Sequence, residues 1–232
     1  MSTSVRWRKM VVESAAVVAS ILLAFGIDAS WDAWKERTTE REIIAALHEE
    51  MLRNHTQLER VIRINDEAAG HFTAFLNMSP EEIATSSGDR LVVDALWAHY
   101  TFDPEVGALD LFLDRDVSPD ERARLIRRAA VNWQAVVADA GEEGQVLWTA
   151  TVATLTHMAA YASDQLPQGD REPNLYTILD DFGPRMSRLR VDDEFLTAAR
   201  AKFTLQQIYK DELGLLLTQT ESLLELLESA ES

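Results

Sequence analysis

Three patterns of apolar and polar positions divide the chain. The first is an almost continuous apolar run, Ser14 to Ile27, entered through Arg6, Arg8 and Lys9 and left through Asp28 and Asp32. Counted from Met10 to Ile27 it holds about 18 residues, or about 27 Å of α-helix, close to the thickness of a bilayer's hydrocarbon core. That length predicts one membrane-spanning helix. The second pattern is a three-four alternation: Ile44, Leu47, Met51, Asn54, Leu58, Val61, Asn65, Ala68, Phe72 and Phe75. It places these positions on one stripe of a helix more than about 45 Å long. In the third, shorter helical periods and breaks fill the rest of the chain.

Asn54 and Asn65 interrupt the apolar seam. One reading gives them the role of polar seam residues in a coiled coil, which select register and partner. The other has the stripe covered by later helices of the same chain, with each amide satisfied by a hydrogen bond. Ser79-Pro80-Glu81-Glu82 carries a capping residue, proline at the first helical position and glutamate three residues on, and the grammar recurs at Ser118-Pro119-Asp120-Glu121. Asp89 to Tyr100 predicts a helix with Leu91, Val92, Ala95 and Leu96 inward, broken at Thr101-Phe102-Asp103-Pro104, and Gly107 to Arg115 a short helix. A long helix is expected from Pro119, with Leu125, Ile126, Ala129, Trp133, Val136 and Val137 on its apolar side. Gly141 and Gly144 are candidate interruptions before a further helix, Val146 to Leu166. Pro167 to Pro173 reads as a loop, Leu175 to Phe182 as a short helix ended by Gly183-Pro184. The last helix, Asp193 to Leu227, carries Phe195, Leu196, Phe203, Ile208, Leu213 and Leu216. The expected class is all-α, with an N-terminal transmembrane helix continuing into an antiparallel helical bundle. The expected divisions are a basic cytoplasmic tail (1–9), the membrane helix (10–30) and an acidic extramembrane domain (31–232).

A short apolar run also fits a cleaved signal peptide, for which Ala24-Phe25-Gly26 is a small-x-small site, or a buried core helix. Glu13 at the start of the run and unbroken helix-compatible sequence to beyond Leu58 favour an uncleaved anchor. Trp7 on one side, with Trp31 and Trp34 on the other, stand where indole rings settle at a membrane interface. Packing of Trp31 and Trp34 inside the soluble domain is the competing placement. Arg6, Arg8 and Lys9 favour a cytoplasmic N-terminus and, in a two-membrane bacterium, a periplasmic domain, although Lys35, Arg37 and Arg41 weaken the asymmetry. Ala16, Ser20 and Ala24 form a small-residue stripe that suits close packing against another helix.

The chain carries a net charge of −17. The four charges before Asp28 are Arg6, Arg8, Lys9 and Glu13, so the remainder holds −19. Such a field repels phosphate backbones, so nucleic acid is not an expected partner. The nearest basic cluster, Arg122, Arg124, Arg127 and Arg128, is interleaved with Asp120 and Glu121 and reads as a solvated helix face. Without cysteine there is neither a disulfide nor a thiolate site. The sequence has no Gly-x-Ser-x-Gly elbow, no phosphate-cradling glycine loop and no His-Glu-x-x-His. None of the five histidines follows a glutamate by three residues, as a di-iron bundle would require, and Glu67 with His71 is the nearest approach. Asp180-Asp181 and Asp192-Asp193 adjoin expected helix ends, where capping accounts for them. No cofactor and no enzymatic activity are expected.

Val12-Glu13, Ile21 to Asp28, Trp31, Glu49 to Leu58 and Phe102-Asp-Pro-x-x-Gly-Ala-Leu109 together resemble a family of uncharacterised bacterial single-pass membrane proteins. The resemblance implies an N-terminal anchor with an embedded acid, an aromatic exit and a helical extramembrane domain. It carries over no activity. The expected function is that of a non-catalytic accessory or scaffold subunit in a larger membrane complex, respiratory or photosynthetic assemblies being candidates. Its partners would be the bilayer and other integral subunits, with self-association left open. The alternative is an envelope sensor or ligand-binding module signalling through its membrane helix.

Overall fold

The structure, a computed structural model, describes residues 3–83, 95–96, 99–115, 121–163, 189 and 191–231. Within these, the side chains of 3–17, 19, 33, 80, 83, 159–163 and 231 are not described. The described residues are mostly helical and contain no strand. The elements are α1 (Thr3–Asn77), α2 (Pro80–Ile83), α3 (Gly107–Leu113), α4 (Glu121–Ser163) and α5 (Asp193–Glu231).

Three long helices carry the same seam. On α1 every position of the three-four stripe from Leu47 to Phe75 is buried, Asn54 and Asn65 included, and Ile44 is half-buried. On α4 the buried set is Ala123, Ile126, Ala130, Trp133, Ala140, Gly144, Leu147, Thr151, Thr154 and Met158. On α5 it is Phe195, Ala199, Lys202, Gln206, Tyr209, Leu213, Leu216, Thr220, Leu223 and Leu227, with Leu224 buried beside it. Each follows an average period of 3.5 residues, which keeps a seam facing its neighbour along a long helix. Asn65 meets Gln206 and His55 meets Glu221, so α1 and α5 run antiparallel. Trp133 meets Thr220 and Gly144 meets Tyr209, so α4 and α5 do as well.

α1 and α4 therefore point the same way, and residues 95–96 and 99–113 run between them in the opposite sense, in contact with all three helices. This supplies the fourth, descending member of an antiparallel bundle. The lower core gathers Leu47, Met51, Leu58, Leu109, Trp133, Leu147, Leu213 and Leu216; the upper one gathers Phe72, Phe75, Leu96, Met158, Leu189 and Phe195. Asn65, Thr151, Thr154, Lys202 and Gln206 form a buried polar layer between them.

Several expectations need correction. α4 passes through Gly141 and Gly144 without a break. A Cβ at Gly144 would lie 3.4 Å from the Tyr209 ring and 3.5 Å from Thr101, so the glycine occupies a seam position where two chains approach closely. Leu125 and Ile208, expected inward, are exposed because the seam falls one residue to the side, on Ile126 and Tyr209. Tyr100 lies outside any helix, while Ala95 and Leu96 are buried as expected. Leu91, Val92, Ser118, Pro119, the 167–173 loop, the 175–182 helix and Asp180-Asp181 lie outside the described residues.

The bundle's first buried side chain on α1 is Ile43, and every described side chain from Val18 to Arg37 is exposed. Among the described residues no helix is long and apolar enough to cross a membrane. In the run Met10 to Ile27, Val18 and residues 20–27, half of the expected span, have described side chains.

Candidate functional site

Pro104 cannot donate a backbone hydrogen bond, and the stretch His99 to Val106 is not helical. The stretch runs along the side of the bundle with its residues exposed or half-buried, and those peptide groups that turn toward the helices need partners, because unpaired N–H and C=O groups away from water are costly. Side chains from the flanking helices supply partners. From the level of Asn65 to that of Asn54, α1 rises about 16 Å. The facing chain covers this between Tyr100 and Glu105 at about 3.3 Å per residue, the rise of an extended strand.

The Asn54 amide pairs with the backbone of one residue in both senses: its Nδ2 donates to the Glu105 carbonyl at 2.8 Å and its Oδ1 accepts the Glu105 N–H at 2.9 Å. Asn65 Nδ2 donates to the Tyr100 carbonyl at 3.0 Å and to the Val61 carbonyl of its own helix at 2.9 Å. From α5, Tyr209 Oη accepts the Phe102 N–H at 3.0 Å, Lys202 Nζ donates to the Ala95 carbonyl at 2.9 Å and Gln206 Nε2 donates to the Asn65 carbonyl at 3.2 Å. The two asparagines hold an extended segment of their own chain, in line with the intramolecular reading of the seam.

α3 is held at both ends by charges of the sign its dipole favours. The residue at its N-cap position, Val106, makes no side-chain cap. Instead the buried Glu50 carboxylate on α1 accepts the N–H groups of Ala108 at 2.7 Å and Leu109 at 2.9 Å. At the other end the Arg127 guanidinium on α4 donates to the carbonyls of Phe112, Leu113 and Arg115. Sequence reading missed Glu50 and placed Arg127 on a solvated face. The available signal was an acid beside Met51 on the seam, facing a short helix without its own capping residue.

Burial shifts three groups of this clasp toward neutrality. The Lys202 ammonium is pushed down to about 8, and Tyr209 is raised by burial against the opposing pull of its Phe102 hydrogen bond. His99, whose ring lies 5.0 Å from that of Trp148, is held below its ordinary value by burial and then by the Lys202 charge. At the surface, Arg53 Nε donates to Glu105 at 2.8 Å, which raises the arginine further.

The second candidate region is the projecting part of α1. Leu22, Leu23, Phe25, Ile27 and Ile21 are each half or more exposed and together occupy all sides of the helix. Trp31 and Trp34 are 63% and 55% exposed, with ring centroids 5.1 Å apart, and do not enter the bundle. Ser20 and Ala24 are exposed on this arm, whereas Ala16, Trp7, Arg6, Arg8 and Lys9 have no described side chain.

Ser79 and Glu82 form the expected capping box, and Asp192 accepts the N–H groups of Glu194 and Phe195 at 2.9 Å. Glu67 pairs with Arg63 at 3.0 Å, one turn earlier on α1. Among the described residues no group of histidines and acids is placed to hold a metal ion. Comparison with family models, with curated proteins and with solved structures gave no match.

Proposed function

We propose that the chain is a non-catalytic accessory or scaffold subunit, held in a bacterial inner membrane by the N-terminal part of α1, with the bundle on the periplasmic side of a larger membrane complex. The observation that carries this reading is the arm. An isolated helix with leucine, isoleucine and phenylalanine exposed on every side is unstable against water, and the same surface is satisfied by lipid or by neighbouring apolar helices. Trp31 and Trp34 follow at the distal end, where a tryptophan pair suits the interface. The resemblance to single-pass membrane proteins points the same way.

Extraction of native membranes in a mild detergent, affinity capture of the full chain and mass spectrometry test the proposal. The expected result is retention in carbonate-washed membranes and elution with integral membrane proteins in fixed stoichiometry. Elution as a lone chain overturns the subunit reading, and loss from the membrane on the carbonate wash overturns the anchor.

The unbroken course of α1 from Thr3 to Asn77 favours a second reading, a sensor whose bundle transmits a change through one rigid rod. It requires ligand-dependent stability of the bundle, which thermal unfolding against candidate solutes measures.

A further inference from the structure

The exposed arm enters the bundle at the end where α4 begins and α5 finishes. A cleft of about 170 Å³ opens there, with room for roughly five waters. Arg37 and Arg41 line it from α1 and Arg122 from α4, with Glu40 as the one acid and Ile44 and Ile126 among its apolar walls. Arg37 and Arg41 stand one helical turn apart, where like charges repel. Arg122 brings a third positive charge to the same opening, in a chain whose net charge is −17.

Ion pairs on the bundle surface engage Arg53, Arg63 and Lys210. Arg37 makes a further polar contact. Among the described residues neither Arg41 nor Arg122 forms an ion pair. A cationic rim above apolar walls matches an anionic headgroup joined to an acyl chain. The position matches as well: Arg41 lies seven residues beyond Trp34, about 10 Å along the axis, within reach of a headgroup layer marked by that indole.

We infer that this cleft, through Arg41 and Arg122 and with Arg37 beside them, binds the phosphate of an anionic phospholipid at the foot of the bundle. The inference rests on the membrane-anchored reading above. The site would fix the tilt and height of the bundle over the lipid surface.

The test titrates the full chain, in a non-ionic detergent, with phosphatidylglycerol, phosphatidylcholine or inorganic phosphate and follows the unfolding temperature. Phosphatidylglycerol is expected to stabilise the chain at lower concentration than either comparator. Arg41→Gln is expected to weaken its binding by about fivefold, and Arg41→Gln with Arg122→Gln by about 25-fold. Equal responses to the two lipids, or an undiminished response in the double variant, overturn the inference. An equal response to inorganic phosphate assigns the cleft to a soluble anion and overturns the lipid source. A double variant that loses stability without lipid yet keeps its selectivity for phosphatidylglycerol assigns the arginines to the negative end of α5, again overturning it. Retention in carbonate-washed membranes, measured on the same variants, separates these outcomes from failure of the anchor itself.

Discussion

Lys202, His99 and Tyr209 share a preference for the neutral form, and the preference sets how stability varies with pH. The unfolded chain holds the Lys202 proton up to its ordinary value of 10.5, whereas the folded chain releases it near 8. Between those values the unfolded state binds more protons, so stability rises with pH, by up to about 3 kcal/mol across the window. Below the ordinary histidine value of 6.5 the unfolded His99 takes up a proton that the folded ring resists, so acid removes stability there. Above 10.0 the unfolded Tyr209 ionises first, and stability falls again. Urea unfolding of the full chain is expected to show increasing stability from pH 8 toward pH 10, and Lys202→Met to flatten that rise. An unchanged slope in the variant would place the titration elsewhere.

At the scale of elements, short α3 depends on side chains from two other helices. Glu50→Ala leaves the Ala108 and Leu109 N–H groups without their buried acceptor and is expected to cost about 2–3 kcal/mol, read as a lower urea midpoint. Glu50→Gln keeps one acceptor oxygen and should lose less; equal losses would point to packing rather than capping. The α1 seam was legible because its period depends only on local spacing, and nine consecutive stripe positions after Ile44 are buried. α4 was less legible, since a glycine pair signals interruption locally while Gly144 answers a demand made by Tyr209 and Thr101. The clasp was legible from one side only. Asn54 and Asn65 announced buried polar demand on a seam, but their partners lie 51 and 35 residues away and are backbone groups, which leave no mark in composition. Pro104 marked the segment able to supply them.

The whole molecule joins two bodies with opposite requirements along one helix. Its bundle has its own seams, two apolar cores and a satisfied polar layer, and its first buried α1 residue is Ile43. The described apolar side chains of the arm before it, from Val18 to Trp34, contact neither core. Every described side chain from Val18 to Glu36 is exposed, so removing residues 1–36 deletes no described buried contact of the bundle. The shortened chain is expected to unfold within about 1 kcal/mol of the full chain, the range of substitutions outside a core, and to stay dispersed without detergent. Charge favours that outcome, because residues 1–36 are net neutral, the shortened chain keeps the whole net −17, and mutual repulsion opposes association. Leu22→Asp with Leu23→Asp addresses the same division without truncation. A paired acid in the middle of the arm should reduce membrane retention strongly while leaving the urea midpoint of the bundle unchanged, as each aspartate adds about 2.5–3.5 kcal/mol to the cost of insertion. A large fall in bundle stability in either variant would mean that the arm folds back onto the bundle and completes its core, and the anchor reading would fail with it.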